Sequence, residues 1–301
     1  MDEKTFYYLF HKAHGANREQ VMEAAKLSAE EYERLETSHA EEVRRIQQEL
    51  PRAATIGPDF VRLTRYIYGG TSDQQLGKPC PEAVKAPSGE IIPLPAVDAI
   101  PVPEISLRQA ISQRRSLRKY SDQPLSQEEL SFLLWAASWA RDFRSGKNIE
   151  VTFRNVPSAG SRHPFECYLL VNNVQNLTPG LYWYHPLKHG LIRLSAPEDI
   201  AQRILDGCME QEMVVTAAVT FILSARPYRA VWRYQQRSYR YLYVDAGHWG
   251  QNIHLAAEAV GAGACMIGAF MDENMNECLG LDGEEEFVIY VAPVGKKEAG
   301  S

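Results

Sequence analysis

Leu130, Leu133, Leu134 and Ala137 recur at three- and four-residue spacing, which predicts a helix with one buried face. Ser126 and Glu129 precede them at the spacing of a capping box, in which a hydroxyl and a carboxylate satisfy each other's backbone amides. Ser28 and Glu31 repeat that signal in the N-terminal region, and Ser106 stands before a short pattern of Leu107, Ala110 and Ile111. Ala246, Trp249, Ile253, Ala256, Ala257 and Val260 predict a further helix that stops at Gly261. Largely apolar runs at 166–171, 217–223 and 286–292 read as buried strands, and 180–184 with 191–194 read as a hairpin. Helices and strands interleave, so the fold class is α+β or α/β.

Prolines divide this pattern. Pro79, Pro81, Pro87, Pro93, Pro95, Pro101 and Pro103 each remove a backbone donor and fix φ. Neither a helix nor a central strand can form through them. Ile91, Ile92, Leu94 and Val97 give the stretch apolar groups to bury along a neighbouring surface. Three regions follow: a charge-rich helical extension over 1–75, a connector over 76–104, and an alternating domain over 105–301. The charges of residues 41–50 read as one wet face of a helix or a face packed on a partner.

Composition narrows the function. Of the 301 residues, 45% are hydrophobic and 23% charged, which excludes disorder throughout. The net charge of −6 removes the bulk electrostatic case for nucleic acid. The longest apolar runs, such as 213–223, fall short of the ~20 residues that a membrane span needs. The acidic start, Met1-Asp2-Glu3-Lys4, does not resemble a secretory signal, and five cysteines form no CxxC pair. Reduced thiols in a cytoplasmic protein are the expectation.

Several chemistries lack their signals. There is no Walker loop, GxSxG elbow or HExxH motif. Residues 261–266 begin like a dinucleotide fingerprint but lack its third glycine and its strand-to-helix order. His248 and His254 point to different helix faces, and His185 and His189 flank Pro186 in a turn and read as surface residues.

Two segments remain. Arg114-Arg115-Ser116-Leu117-Arg118-Lys119 concentrates cationic donors at the end of the short helix; alone, such a run is either a solvated patch or an anion site. Pro157-Ser158-Ala159-Gly160-Ser161-Arg162-His163-Pro164 supplies small residues and hydroxyls that let backbone approach a flat ligand, although an ordinary proline-bounded turn has the same composition.

In this order, with Asn172-Asn173, Pro179-Gly180-Leu181-Tyr182, Tyr239-Arg240-Tyr241, Asp245-Ala246-Gly247-His248, Gly268-Ala269-Phe270 and Val294-Gly295, these segments resemble the nitroreductase superfamily. The nearest branch is the SagB-type dehydrogenases. The resemblance implies an α+β nitroreductase fold with a central, mainly antiparallel sheet, and a homodimer with FMN at the subunit interface. By position, Arg114, Arg115, Ser116 and Arg118 would hold the FMN phosphate and the polar edge of the flavin. Pro157, Ser158, Ala159 and Gly160 would line the ring, often from the other subunit. Gly268 and Ala269 would present backbone near N5, and Lys296 would add a phosphate contact.

The match breaks at Trp232-Arg233-Tyr234, where SagB-type enzymes carry a lysine–tyrosine pair that supports azoline dehydrogenation. Arginine stays protonated and cannot act as the base a desolvated lysine can be. Tyr234 is left as the candidate proton carrier. The expectation is an FMN-dependent oxidoreductase of a small or peptide-derived substrate. An NAD(P)H-dependent nitro or quinone reductase and a non-catalytic flavin-binding subunit of a biosynthetic complex stay open.

Overall fold

The computed structural model describes residues 1–100, 102–146 and 149–298. Pro101 of the proline cluster and the last residues of the third region lie outside the described residues. The chain forms two compact units, Met1–Tyr68 and Gly69–Ser301, so the proline-rich connector belongs to the second.

The first unit is helical: α1 (Glu3–Ala13), α2 (Arg18–Ala24), α3 (Ala29–Ser38), α4 (Ala40–Ala53) and α5 (Ile56–Leu63). The Ser28 capping box forms as expected, and Asn17 with Gln20 makes a second one. Tyr8, Leu9, Val21, Tyr32 and Leu35 build the unit's own small core. Only Val43 of α4 is buried, in keeping with the wet face read from its charges.

The second unit is built on an antiparallel sheet of seven strands. In chain order these are β1 (Ile92–Pro93), β4 (Phe165–Val171), β5 (Gly180–His185), β6 (Gly190–Arg193), β7 (Val219–Ala225), β8 (Ala262–Ala264) and β9 (Phe287–Lys296). They lie in the order β1-β6-β5-β4-β7-β9-β8. The connector supplies only the edge strand β1, where a proline costs no ladder bond on its outer side. A separate hairpin joins β2 (Ala140–Gly146) to β3 (Ile149–Arg154).

All seven residues of β4 and of β7 are buried, because helices cover both faces of the sheet. Cys167, Leu169 and Val171 face a core shared with α7 (Gln127–Ala137) and α11 (Ser238–Ala259). Tyr168 and Leu170 face a second core with α8 (Ile200–Gly207), α9 (Met213–Thr216) and α12 (Asp272–Leu279). The Ser126 capping box opens α7.

Two expectations are corrected here. The helix ending at Gly261 begins at Ser238, eight residues before its apolar pattern starts. His185 and His189 are also not surface residues: His185 is buried, and His189 is held between the hydroxyls of Ser131, at 2.6 Å, and Tyr184, at 2.7 Å. All five cysteines are free, and no helix among the described residues is long and apolar enough to cross a membrane.

Candidate functional site

The arginine segment is fixed by the edge of the sheet. The helix α6 (Leu107–Gln113) is capped by Ser106, whose hydroxyl accepts from Gln109 N–H at 3.1 Å, and it ends at Arg114. The chain then extends along β8: Ser116 bridges Ala264, and Leu117 N–H donates to Ala264 O at 2.9 Å. Leu117 covers Gly263, where a Cβ would come within 2.6 Å of the leucine side chain. Tyr120 lies on Gly295 in the same way and donates its hydroxyl to Leu117 O at 2.8 Å.

In an extended segment residues two apart share a side, so Arg114, Ser116 and Arg118 lie opposite the inward Leu117. Arg115 donates to its own segment, to Ser112 O at 2.9 Å and Arg114 O at 2.8 Å. Among the described residues, no carboxylate pairs with Arg114, Arg115 or Arg118. A cluster of uncompensated guanidiniums in a chain of net charge −6 fits a dianion such as a phosphate monoester.

Gly268 and Ala269 leave the same edge. Ile267 still exchanges backbone bonds with Val291, at 2.8 and 3.1 Å, and the next two residues are exposed. A side chain at Gly268 would meet open space, so the backbone there is free to face a ligand. Lys296 is committed elsewhere: its ammonium pairs with Glu129 and donates to Val260 O at 2.8 Å.

The Pro157–Gly160 segment leaves β3 and is pinned from α11. Asp245, 5% exposed, accepts from Ala159 N–H at 3.1 Å and bonds the Ser158 hydroxyl. Burial pushes the Asp245 carboxyl up, and these two bonds partly offset it. Ser158 in turn accepts from His163 N–H at 2.9 Å. Gly160 has φ +59°, which favours glycine, and a Cβ there would displace the Tyr234 hydroxyl that packs against it.

Tyr234 ends α10 (Tyr228–Tyr234). The Arg233 guanidinium lies 5.3 Å from its ring centroid, and Tyr241 meets the ring edge-on at 5.3 Å. Beneath the segment runs a buried charged network. Glu166 accepts from Arg229 at 2.6 Å, with both side chains 2% exposed, and from Trp183 Nε1 at 3.0 Å. Arg162 donates to Arg229 O at 2.6 Å and stacks its guanidinium over Trp232. Burial, with Arg154 and Arg162 nearby, pushes His163 down to about 2, so it is neutral. A small cavity of about 20 Å³, bounded by Arg154, Ser158, His163 and Asp245, is large enough for one water.

The sequence-derived residues thus fall into two groups. Arg114, Arg115, Ser116, Arg118, Gly268 and Ala269 follow the β8 edge, and Pro157 to Gly160 gather with Tyr234 and Arg233. Within one chain α11 separates them: Asp245 holds the second group, whereas His254 feels the charge of Arg114. Nine residues of helix amount to about 13 Å of rise and about half a revolution. Between these flanks runs an exposed stripe of Tyr243, Val244, Gly247, His248 and Gln251. The positioning roles of Asp245, Glu166 and Arg229 carried no local sequence signal, because each depends on a partner more than sixty residues away.

Residues 111–296 match the Nitroreductase family. A Methanocaldococcus jannaschii protein that carries the name nitroreductase is 33% identical over 194 residues, 64% of this chain and 92% of the relative. The trifolitoxin-processing protein TfxB of Rhizobium leguminosarum bv. trifolii is 36% identical over 114 residues, 35% of this chain and 30% of TfxB. Among solved structures, a nitroreductase of Anabaena variabilis aligns at TM-score 0.61 and 25% identity, over 79% of this chain and 46% of that one. The Escherichia coli microcin synthetase McbBCD complex with truncated pro-MccB17 aligns at TM-score 0.50 and 20% identity, over 82% and 94%, a likeness of fold. The chain therefore spans less than half of the Anabaena protein and less than a third of TfxB.

Proposed function

The chain belongs to the nitroreductase family of oxidoreductases, and from that premise we propose that it is an FMN-dependent, SagB-type dehydrogenase working as a homodimer on a peptide-derived substrate. The observation that carries the reading is the arginine segment. Arg114 and Arg118, with no carboxylate partner among the described residues, share one side of a segment held on the sheet edge, as a phosphate dianion requires.

Arg114 and Arg118 would bind the phosphate, with Ser116 adding a hydroxyl, while Arg115, whose guanidinium donates to Ser112 O and Arg114 O, would add its positive charge to the site. Gly268 and Ala269 would offer backbone to the ring without a side chain in the way. When bound, FMN supplies reversible hydride exchange at ring N5. Lys296 contributes at a distance, because its ammonium already holds Glu129 and the Val260 carbonyl.

The Pro157–Gly160 segment completes the site from the second copy. Its separation from the arginines by α11 supports this, and so does the exposure of Tyr243 and Val244 between the two groups. Tyr243 and Val244, 59% and 54% exposed, are the kind of patch that a partner covers. Tyr234, set against Gly160, would carry a proton at its hydroxyl. Arg233 would stay charged, orient the phenol ring and fail as a base. The likeness to TfxB supports a peptide-derived substrate.

The visible spectrum of the purified protein, with mass identification of the released chromophore and sedimentation for the oligomeric state, tests this reading. Flavin absorbance near one FMN per chain in a dimer is expected. A monomer that refuses added FMN would overturn it.

A further inference from the structure

Beside the N-terminal half of α10 lies a cavity of about 370 Å³, within the size range of small-ligand sites. Tyr228, Val231 and Tyr239 form its apolar walls, Gln236 one side, and Glu284 and Glu285 its rim. We propose that this cavity binds a basic side chain, arginine or lysine, of a peptide substrate; the substrate role rests on the oxidoreductase reading above, whereas the binding does not.

Charge decides the ligand class. The two arginines that reach the cavity are already compensated. Arg226 pairs with Glu82 and lies 3.7 Å from Glu286, and Arg229 pairs with the buried Glu166. An anion would find Arg226 already shared between carboxylates, and the one unpartnered nitrogen of Arg229, Nη1, is buried out of reach of solvent. Glu284 and Glu285 make no ion pair among the described residues, and both are exposed at the rim. Their backbone amides donate to Asp282 at 2.9 Å, so the turn that carries them is fixed before any ligand arrives.

The walls suit the same ligand. The Tyr228 hydroxyl donates to Asp73 at 3.0 Å, and the residue is 47% exposed. An aromatic face beside unpaired carboxylates attracts a cation, and the aliphatic stem of arginine or lysine can lie against Val231. Tyr228 and Tyr234 stand six residues apart on one helix, about 9 Å of rise. A peptide anchored here would present a residue about three positions away, at ~3.3 Å each, to the Tyr234 end of the helix.

Saturation-transfer NMR on the full-length, FMN-loaded protein tests this with acetyl-Gly-Arg-Gly-amide and its citrulline counterpart, which has the same shape without the charge. The arginine peptide is expected to bind about tenfold more tightly, with its side-chain methylenes saturated most strongly, and 0.5 M NaCl should weaken it. The double variant Glu284→Gln/Glu285→Gln should bind both peptides alike while keeping its flavin absorbance. Equal binding of the two peptides by the unaltered protein, or a preference for arginine that survives in the double variant, overturns the site. Charge-selective binding by a protein that cannot take up FMN would support the cavity and remove only the oxidoreductase reading.

Discussion

Replacing Glu166 by glutamine tests whether the buried network positions the candidate site. Glu166 and Arg229 are both 2% exposed and 2.6 Å apart, and the second carboxylate oxygen accepts from Trp183 at 3.0 Å. The amide keeps one acceptor but removes the charge. Arg229, which already has an unpartnered Nη1, would remain as an uncompensated buried cation near Arg154 and Arg162. Breaking a buried pair this way costs about 3–5 kcal/mol. At about 2.1 cal/mol/K per residue, the unit spanning residues 69–301 has an unfolding entropy of about 0.5 kcal/mol/K, so its Tm should fall by about 6–10 °C. Calorimetry at pH 7 reads this directly. The control is Glu166→Leu/Arg229→Met, which removes both charges and should recover most of the loss. A single variant that melts within 2 °C of the unaltered protein, or a double variant no better than the single, would refute the reasoning. The sign with pH is also fixed. Burial raises the Glu166 carboxyl, but Arg229 and Arg154 more than offset it and hold it below the ordinary range. The pair's contribution is therefore complete above the unfolded carboxylate value of ~4.3 and is lost as pH falls through the lower folded value.

Four further outcomes are expected. Arg114→Ala/Arg118→Ala should weaken FMN binding at least about a hundredfold by fluorescence titration, since two charge-assisted contacts go even after discounting for solvent; unchanged affinity would remove the phosphate assignment. Gly160→Ala should cost about 1–2 kcal/mol in urea unfolding for its φ of +59°, with the Tyr234 ring displaced. Asp245→Ala should cost about 1–3 kcal/mol by orphaning the Ala159 amide, whereas Asp245→Asn, which keeps an acceptor, should cost about 1 kcal/mol or less. His163 is held down to about 2 by burial and its arginine neighbours, so it is neutral when folded and titrates near 6.5 when unfolded. Stability should thus fall as pH drops from 7 to 5, and His163→Gln should remove about 2 kcal/mol of that loss in urea titrations at the two pH values.

Much of the frame was legible because its signals are local. A capping box needs only residues three apart, so Ser28 and Ser126 announced their helices. The buried strands β4 and β7 read as largely apolar runs because helices cover both of their faces. The hairpin β2–β3 was not legible. Arg141, Asp142, Arg144 and Ser145 are exposed, so the strand lacks the apolar alternation that would mark it. The first turns of α11 were hidden for the opposite reason: Tyr243 and Val244 are apolar but point away from the core, which blurs the helical period. The histidines of the 185–189 turn looked like surface groups because their partners are not adjacent. Ser131, for example, lies 58 residues from His189.

The same distinction separates the two halves of the site. The arginine segment stands out in six consecutive residues, because a candidate anion site is marked by local density of charge and little else. The Pro157–Gly160 half is different, since its members matter only through Asp245, 86 residues from Ala159, and Tyr234, against Gly160. No spacing rule links those positions; the helix α11 does, by carrying Asp245 on one flank and His254 on the other. That geometry also turns an otherwise puzzling surface into a requirement. A stripe that exposes Tyr243 and Val244 to water is unfavourable for a lone chain, by roughly 25 cal/mol for each Å² of apolar area left uncovered. A second chain seated on it would cover those rings and, across a twofold axis, bring its own Pro157–Gly160 segment toward the arginines of the first. Val244→Lys, on the stripe and outside both groups, should therefore separate the copies in sedimentation and release the flavin in the same step. A variant that becomes monomeric yet keeps its FMN would show that one chain suffices.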